Sequence, residues 1–221
     1  MKMVILVAGL GSRMRDVCGT RPKCLVDVGG ESILDRLLAI GRELRLEPLI
    51  VTRPEYAADF RDTAAEVLVE ERPVGMLTTL YQTRGIFEDL GAPFVWVAGD
   101  LVFSEIGPLR KLVEEHRSAD FASYFLCRSN RFKAKVRFEP ELELVATRDG
   151  EWPFSSPTFG VQSPRIFSYL DGDTEGQFAM KALAAGEVIS FAEYTYPIFE
   201  IDTPSDLTAA RDHFAPCASI S

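Results

Sequence analysis

The chain has 221 residues, 47% of them hydrophobic and 26% charged, with a net charge of −9. These values suit one large globular domain, leave no apolar tract long enough to span a bilayer, and argue against nucleic acid or an anionic membrane as the main partner. Cys18, Cys24, Cys127 and Cys217 are scattered and only two His residues occur, so neither a disulfide framework nor a His/Cys metal cluster is expected.

The segment 4–8, "VILVA", is short, β-branched and bounded by Gly9, which predicts a fully buried strand. It starts too early for a signal peptide to precede it, so the expected location is cytoplasmic. Gly9 and Gly11 permit backbone angles that a Cβ would forbid, and amides freed in such a bend can face an anion. Residues 13–23 then carry Arg13, Arg15, Arg21 and Lys23 against a single Asp16, a basic island on an acidic chain. The pattern predicts a phosphate cradle for a small anionic ligand.

Apolar positions Ile33, Leu34, Leu37, Leu38 and Ile40 share one helical face, with Ser32 and Asp35 placed as a capping pair. Strands follow at 47–52 and 66–70 with a helical turn between them at 54–63. A helix is predicted over 75–87, a strand over 93–100, a helix over 107–118 and a strand over 120–128. Strands alternating with helices imply right-handed crossovers and a mostly parallel sheet. After residue 130 the pattern changes to a hairpin over 133–147 and a loop at 149–156. A strand entering a helix then covers 156–170, and two more strands lie at 187–194 and 197–202. Thr203, Pro204 and Asp206 cap a last helix. Without an internal repeat or linker, residues 1–221 read as a single α/β domain.

Two common glycine-loop explanations fail. The P-loop ending Gly-Lys-Ser/Thr is absent, and "GLGSRM" has Met14 where the dinucleotide fingerprint needs a third glycine. What remains is the whole assembly, "AGLGSRMR" followed by "RPKCLVDVGGESILDRLL". It resembles the sugar-phosphate and small-phosphoester nucleotidyltransferases of the MobA-like superfamily, through Ala8, Gly9, Gly11, Ser12, Arg13, Met14, Pro22 and Lys23. The likeness continues in "EERPVGMLTTL" (Glu71, Pro73, Gly75, Leu80), "FVWVAGD", "SPTFGVQSPRIF" and "EIDTPSDL". The molybdenum-cofactor transferases typically carry a shorter loop with a lysine directly following, which this chain lacks. The methylerythritol-phosphate cytidylyltransferases share the start but have an H-D-A-A-R-like segment that is missing here.

The resemblance implies a Rossmann-like three-layer α/β/α sandwich, mostly parallel, with antiparallel additions in its second half. Residues 1–125 would bind the nucleoside triphosphate and 126–221 the phosphorylated acceptor. Ala8, Gly9, Gly11, Ser12, Glu71 and Gly75 would hold the nucleotide, and Arg13, Lys23 and Asp100 would be catalytic. Mg²⁺, which favours carboxylates plus phosphate oxygens, would sit on Asp100 and Asp202 at the ends of apolar strands. CTP is favoured as donor, and the acceptor is a phospho-alcohol, a phosphonate or a sugar phosphate. A hexose-1-phosphate transferase and a non-catalytic NTP sensor are the alternatives, and the chain is expected as a monomer or homodimer.

Each residue also has a plainer reading. Asp100 could cap the next element, Arg13 could be a surface charge and Glu71 could solvate a loop. Trp96 reads as core. Trp152 and Phe154 are candidate acceptor contacts, as are Lys133 and Lys135. His116 and His213 fall on charged helix faces and need no catalytic role.

Overall fold

Alternation along the first strand sets the layers. In β1 (Lys2–Leu6), Met3 and Ile5 enter one core while Val4 and Leu6 enter another on the opposite face. The computed structural model describes the chain apart from residues 72–74, 118, 130, 133, 139–140, 148, 171–176 and 216–221, and apart from the side chains at 78, 88–90 and 146. Pro73, Lys133 and Cys217 therefore lie outside the described residues.

In chain order, β1 is followed by a short α1 (Arg15–Cys18), a small hairpin of β2 (Asp27–Val28) and β3 (Glu31–Ser32), and α2 (Ile33–Glu43). Then come β4 (Glu47–Thr52), β5 (Glu66–Val69), α3 (Met76–Gln82), α4 (Arg84–Leu90), β6 (Phe94–Ala98), β7 (Leu101–Phe103) and α5 (Gly107–Glu115). The second half holds β8 (Ala122–Leu126), β9 (Ala134–Arg137), β10 (Glu143–Ala146), β11 (Phe154–Ser156) and β12 (Phe159–Gln162). It closes with α6 (Gln177–Ala184), β13 (Ile189–Glu193), β14 (Ile198–Glu200) and α7 (Pro204–Phe214).

A seven-stranded sheet has the order β13-β8-β12-β6-β1-β4-β5, and β12 alone runs against its neighbours. One face carries α2, α5 and α7 through Leu34, Leu37, Leu109, Leu112 and Leu207. The other carries α3, α4 and α6 through Leu80, Phe87 and Phe178. The fold is the expected three-layer α/β/α sandwich, and its antiparallel pieces fall in the second half. Among them is the three-stranded sheet β10-β9-β11.

Four local expectations need correction. The first strand ends at Leu6, although Val7 still donates to the Val51 carbonyl. The helix predicted over 75–87 breaks at Thr83, whose hydroxyl donates to the Leu80 carbonyl and competes with the helical bonding there. Residues 154–156, expected in a loop, form β11 against β9. The helix expected after β12 is a 3-10 segment, Pro164–Ser168.

Capping follows the sequence closely. The Ser32 hydroxyl accepts from the Asp35 amide, and Thr203 with Asp206 forms a reciprocal capping box at the start of α7. That box leaves Asp202 immediately before the capping residue, Thr203. A second register brings it to the site: β14 pairs antiparallel with β7, setting Glu200 opposite Leu101, and the Ile201 amide donates to the Asp100 carbonyl at 2.9 Å.

Candidate active site

At the carboxyl ends of β1, β4 and β6 lies a cleft of about 500 Å³. Ala8, Gly9, Gly11, Ser12, Arg13, Lys23, Gly75, Asp100 and Asp202 all line it. Glu71 does not: it is exposed and outside the lining. Open parallel sheets place ligands at this edge because, where the strand order reverses, neighbouring connections leave for opposite faces and open a crevice between them.

The glycine loop is held from the side of β4. Arg53, the residue after that strand, reaches the Ala8 carbonyl at 3.5 Å, and the Tyr56 hydroxyl donates to the Leu10 carbonyl at 3.4 Å. Gly11 sits at φ 57°, a left-handed conformation that a side chain would strain. Gly9 carries no such demand, since its backbone is unstrained and a Cβ there would meet open space. The amides of Gly9, Leu10 and Gly11 have no hydrogen-bond partner among the described residues. They are donors left over for a ligand.

Gly99 is set by packing. Its amide donates to the Leu6 carbonyl, and a Cβ would come within 2.2 Å of Val7 Cγ1. The close parallel pairing of β1 with β6, continued by Gly99, puts Asp100 beside the glycine loop. Lys23 arrives on a 3-10 turn, Lys23–Leu25, anchored by the buried Cys24.

Four charges meet at the centre. Lys23 Nζ donates to Asp100 Oδ2 at 2.7 Å and to Asp202 Oδ1 at 3.1 Å, and Arg13 Nη2 donates to Asp202 Oδ2 at 2.8 Å. Asp100 Oδ1 is buried with no hydrogen-bond partner among the described residues. Burial pulls the Lys23 ammonium down, but Asp100 and then Asp202 outweigh it, so its pKa lies above the ordinary lysine value. Burial pushes Asp202 up, yet Lys23 and Arg13 overcome that and hold its carboxyl below the ordinary aspartate value. Burial also raises the Cys24 thiol, which is no nucleophile at neutral pH.

Arg53, Met76, Thr79, Phe132, Ser156, Thr158 and Glu200 also line the cleft, and sequence reasoning did not single them out. Arg53 had a signal available, an arginine one residue past a buried strand. Trp152 and Phe154 stay outside the lining. The Trp152 indole N–H donates to the Asp149 carbonyl and its ring lies 4.7 Å from the Arg137 guanidinium carbon, while Phe154 packs on Phe138. Lys135 is buried within β9 and is likewise outside the lining. Trp96 is core, edge-on to Phe178. His116 is partly buried just past α5 with Nδ1 2.8 Å from the Ser123 hydroxyl, and His213 lies against Phe199 and Phe214. Among the described residues no three His, Cys, Asp or Glu side chains gather as a metal cluster. No helix among them is long and apolar enough to cross a membrane.

The chain is 25% identical to a bifunctional IPC transferase and DIPP synthase of Thermococcus kodakarensis over 95% of its own length, and spans 50% of that relative. Among solved structures, a Bacillus anthracis chain provisionally assigned as a glucose-1-phosphate thymidylyltransferase superposes with a TM-score of 0.84 at 19% identity, covering 97% of this chain and 95% of that one. The inositol-1-phosphate CTP transferase of T. maritima superposes with a TM-score of 0.74 at 16% identity, covering 98% of both chains. At these identities the structures speak for the fold. A family model for the MobA-like NTP transferase domain matches residues 3–184, and the chain belongs to that family.

Proposed function

We propose that this chain transfers a nucleoside monophosphate from a nucleoside triphosphate, with CTP favoured, to a small phosphorylated polyol or sugar, releasing pyrophosphate. The observation that carries the reading is the convergence in one cleft of three unpaired loop amides with Lys23, Arg13, Asp100 and Asp202.

In the reaction an oxygen of the acceptor phosphate forms a bond to the α-phosphorus. The bond from that phosphorus to the bridging oxygen breaks, and its electron pair leaves on pyrophosphate. The nucleophile is already anionic, so the task is to bring two polyanions together and to stabilise charge on the leaving group. The loop amides and Arg13 suit the triphosphate, and Lys23, at the centre of the cluster, suits the oxygens on the α-phosphorus. Arg53, directly after β4, and Gly75, Met76 and Thr79, at the start of α3, suit the nucleoside. Phe132, Ser156, Thr158 and Glu200 lie on the side of β12 and β14 and suit the acceptor.

The residues fit a divalent ion. Asp100 and Asp202 already share one cation, and since no third carboxylate joins them as a metal cluster among the described residues, phosphate oxygens and water would complete the shell that Mg²⁺ prefers. When bound, such an ion supplies positive charge to the triphosphate oxygens.

One similarity supports the polyol acceptor and CTP: the fold shared with the T. maritima inositol-1-phosphate CTP transferase. A hexose-1-phosphate acceptor is the second reading, favoured by the B. anthracis structure with the higher TM-score. Pyrophosphate release across a matrix of common NTPs against inositol phosphate, sugar-1-phosphates, phosphocholine and aminoethylphosphonate tests both. Turnover with CTP and inositol phosphate supports the first reading, and a sugar-1-phosphate with UTP or dTTP supports the second. Binding of NTP with no pyrophosphate from any pair would leave a nucleotide sensor.

A further inference from the structure

The Lys23 ammonium occupies the space between the two carboxylates. Its Nζ lies 2.7 Å from Asp100 Oδ2 and 3.1 Å from Asp202 Oδ1. A magnesium-sized ion takes its oxygens at about 2.1 Å. Bound to those same two atoms, it would overlap the ammonium and meet its charge with nothing between. The other carboxylate oxygens offer no easy detour. Asp202 Oδ2 accepts from Arg13, and Asp100 Oδ1 is buried away from solvent.

We infer that Lys23 is a placeholder for the metal: in the free protein its ammonium holds Asp100 and Asp202 together, and it must leave them before a divalent ion can enter. This rests on the reading that Asp100 and Asp202 hold that ion. The physical reason for a placeholder is repulsion. The register of β7 and β14 forces two carboxylates together, and unpaired like charges at that range disfavour the fold. A lysine can fill the gap and later vacate it, because its four-carbon stem moves a point charge without disturbing the backbone. What draws it away is an anion, and a triphosphate on the glycine loop supplies one. Metal and nucleotide would then bind as a coupled pair, with Lys23 moving from carboxylate to phosphate. Free metal alone would have to eject the ammonium into water, and would bind weakly.

The test is Mn²⁺ binding to the full chain without nucleotide, followed by electron paramagnetic resonance. Lys23→Met is expected to bind Mn²⁺ about tenfold or more tightly than the wild type, because removing the ammonium removes a like charge from the space the ion would take. The gain should vanish in Lys23→Met/Asp100→Asn, which locates it. As a second readout, Mn²⁺ should raise the melting temperature of Lys23→Met more than that of the wild type, because a tighter ligand stabilises the folded state more. If Lys23→Met does not fold without metal, Lys23→Gln carries the same comparison. Equal or weaker Mn²⁺ binding after removal of the ammonium overturns the inference, as does a gain that survives Asp100→Asn. Neither readout requires turnover. A chain that shows the competition and transfers no nucleotide would refute the transferase reading alone.

Discussion

The Ile201 amide and the Asp100 carbonyl are joined by a 2.9 Å hydrogen bond, and this contact brings Asp202 beside Asp100 across a hundred residues of chain. The bond continues the antiparallel β7–β14 ladder by one step. Both carboxylates are thus placed by backbone pairing, which is stiffer than any side-chain contact. Replacing either with Asn keeps the shape and removes the charge. Asp100→Asn and Asp202→Asn are each expected to lower kcat by about 10²-fold or more with folding intact, because charge built up in the transition state loses its counter-ion. Steady-state kinetics beside a circular dichroism melt decides it, and near-normal turnover in either variant would remove that residue from the chemistry.

Gly99 is the structural partner of this arrangement. A methyl group at that position would overlap Val7 Cγ1 and crowd the Leu6 carbonyl at 3.1 Å, and neither neighbour is the far end of a flexible chain. Gly99→Ala should therefore destabilise the protein by about 1–3 kcal/mol, the ordinary cost of overpacking. Urea denaturation measures this, and an unchanged midpoint would show that β1 and β6 can separate freely.

Much of this was legible in the sequence, for reasons of range. The Ser32–Asp35 and Thr203–Asp206 caps span three residues, so their chemistry is written locally. The alternation of Met3, Val4, Ile5 and Leu6 needs only the period of a strand. Arg13, Lys23, Asp100 and Asp202 were found because their motif is extended, and the structure brings all four into one cleft. The β7–β14 register lay beyond such reading, since nothing near residue 101 announces a partner near residue 200. Gly150 and Pro153 made the approach to β11 look like a loop, which drew attention to Trp152 and away from Ser156 and Thr158. Glu71 matched the motif but faces solvent, for a motif records residue order and not side-chain direction.

The stability of the charge cluster should depend on pH at both ends. Asp202 has a folded pKa below its unfolded value, so its contribution is present above the ordinary aspartate range and fades as pH falls through the depressed value. Lys23 is raised, so its contribution is complete below the ordinary lysine range and is lost as pH climbs through the raised value. A neutral plateau results. Asp202→Asn should flatten the acid limb of urea midpoint against pH relative to the wild type. An unchanged acid limb would mean that other carboxylates govern it.

The last prediction separates the two ends of the cleft. Thr158 lines it on the β12 side, directly before that strand, while the Trp152 ring lies beside Arg137, outside the lining. Thr158→Val keeps the volume and removes a hydroxyl. If that hydroxyl bonds the acceptor, its loss should raise the acceptor KM by about 3–10-fold, the worth of one net hydrogen bond, and leave the NTP value nearly unchanged. Trp152→Ala should move neither constant, because its indole bonds the Asp149 carbonyl within its own turn. The decisive measurement is the pair of KM values for each variant under saturating co-substrate. A rise in the NTP constant alone for Thr158→Val would reverse the assignment of the two ends. A rise in the acceptor constant for Trp152→Ala would mean that the β9–β11 sheet closes over the acceptor when it binds.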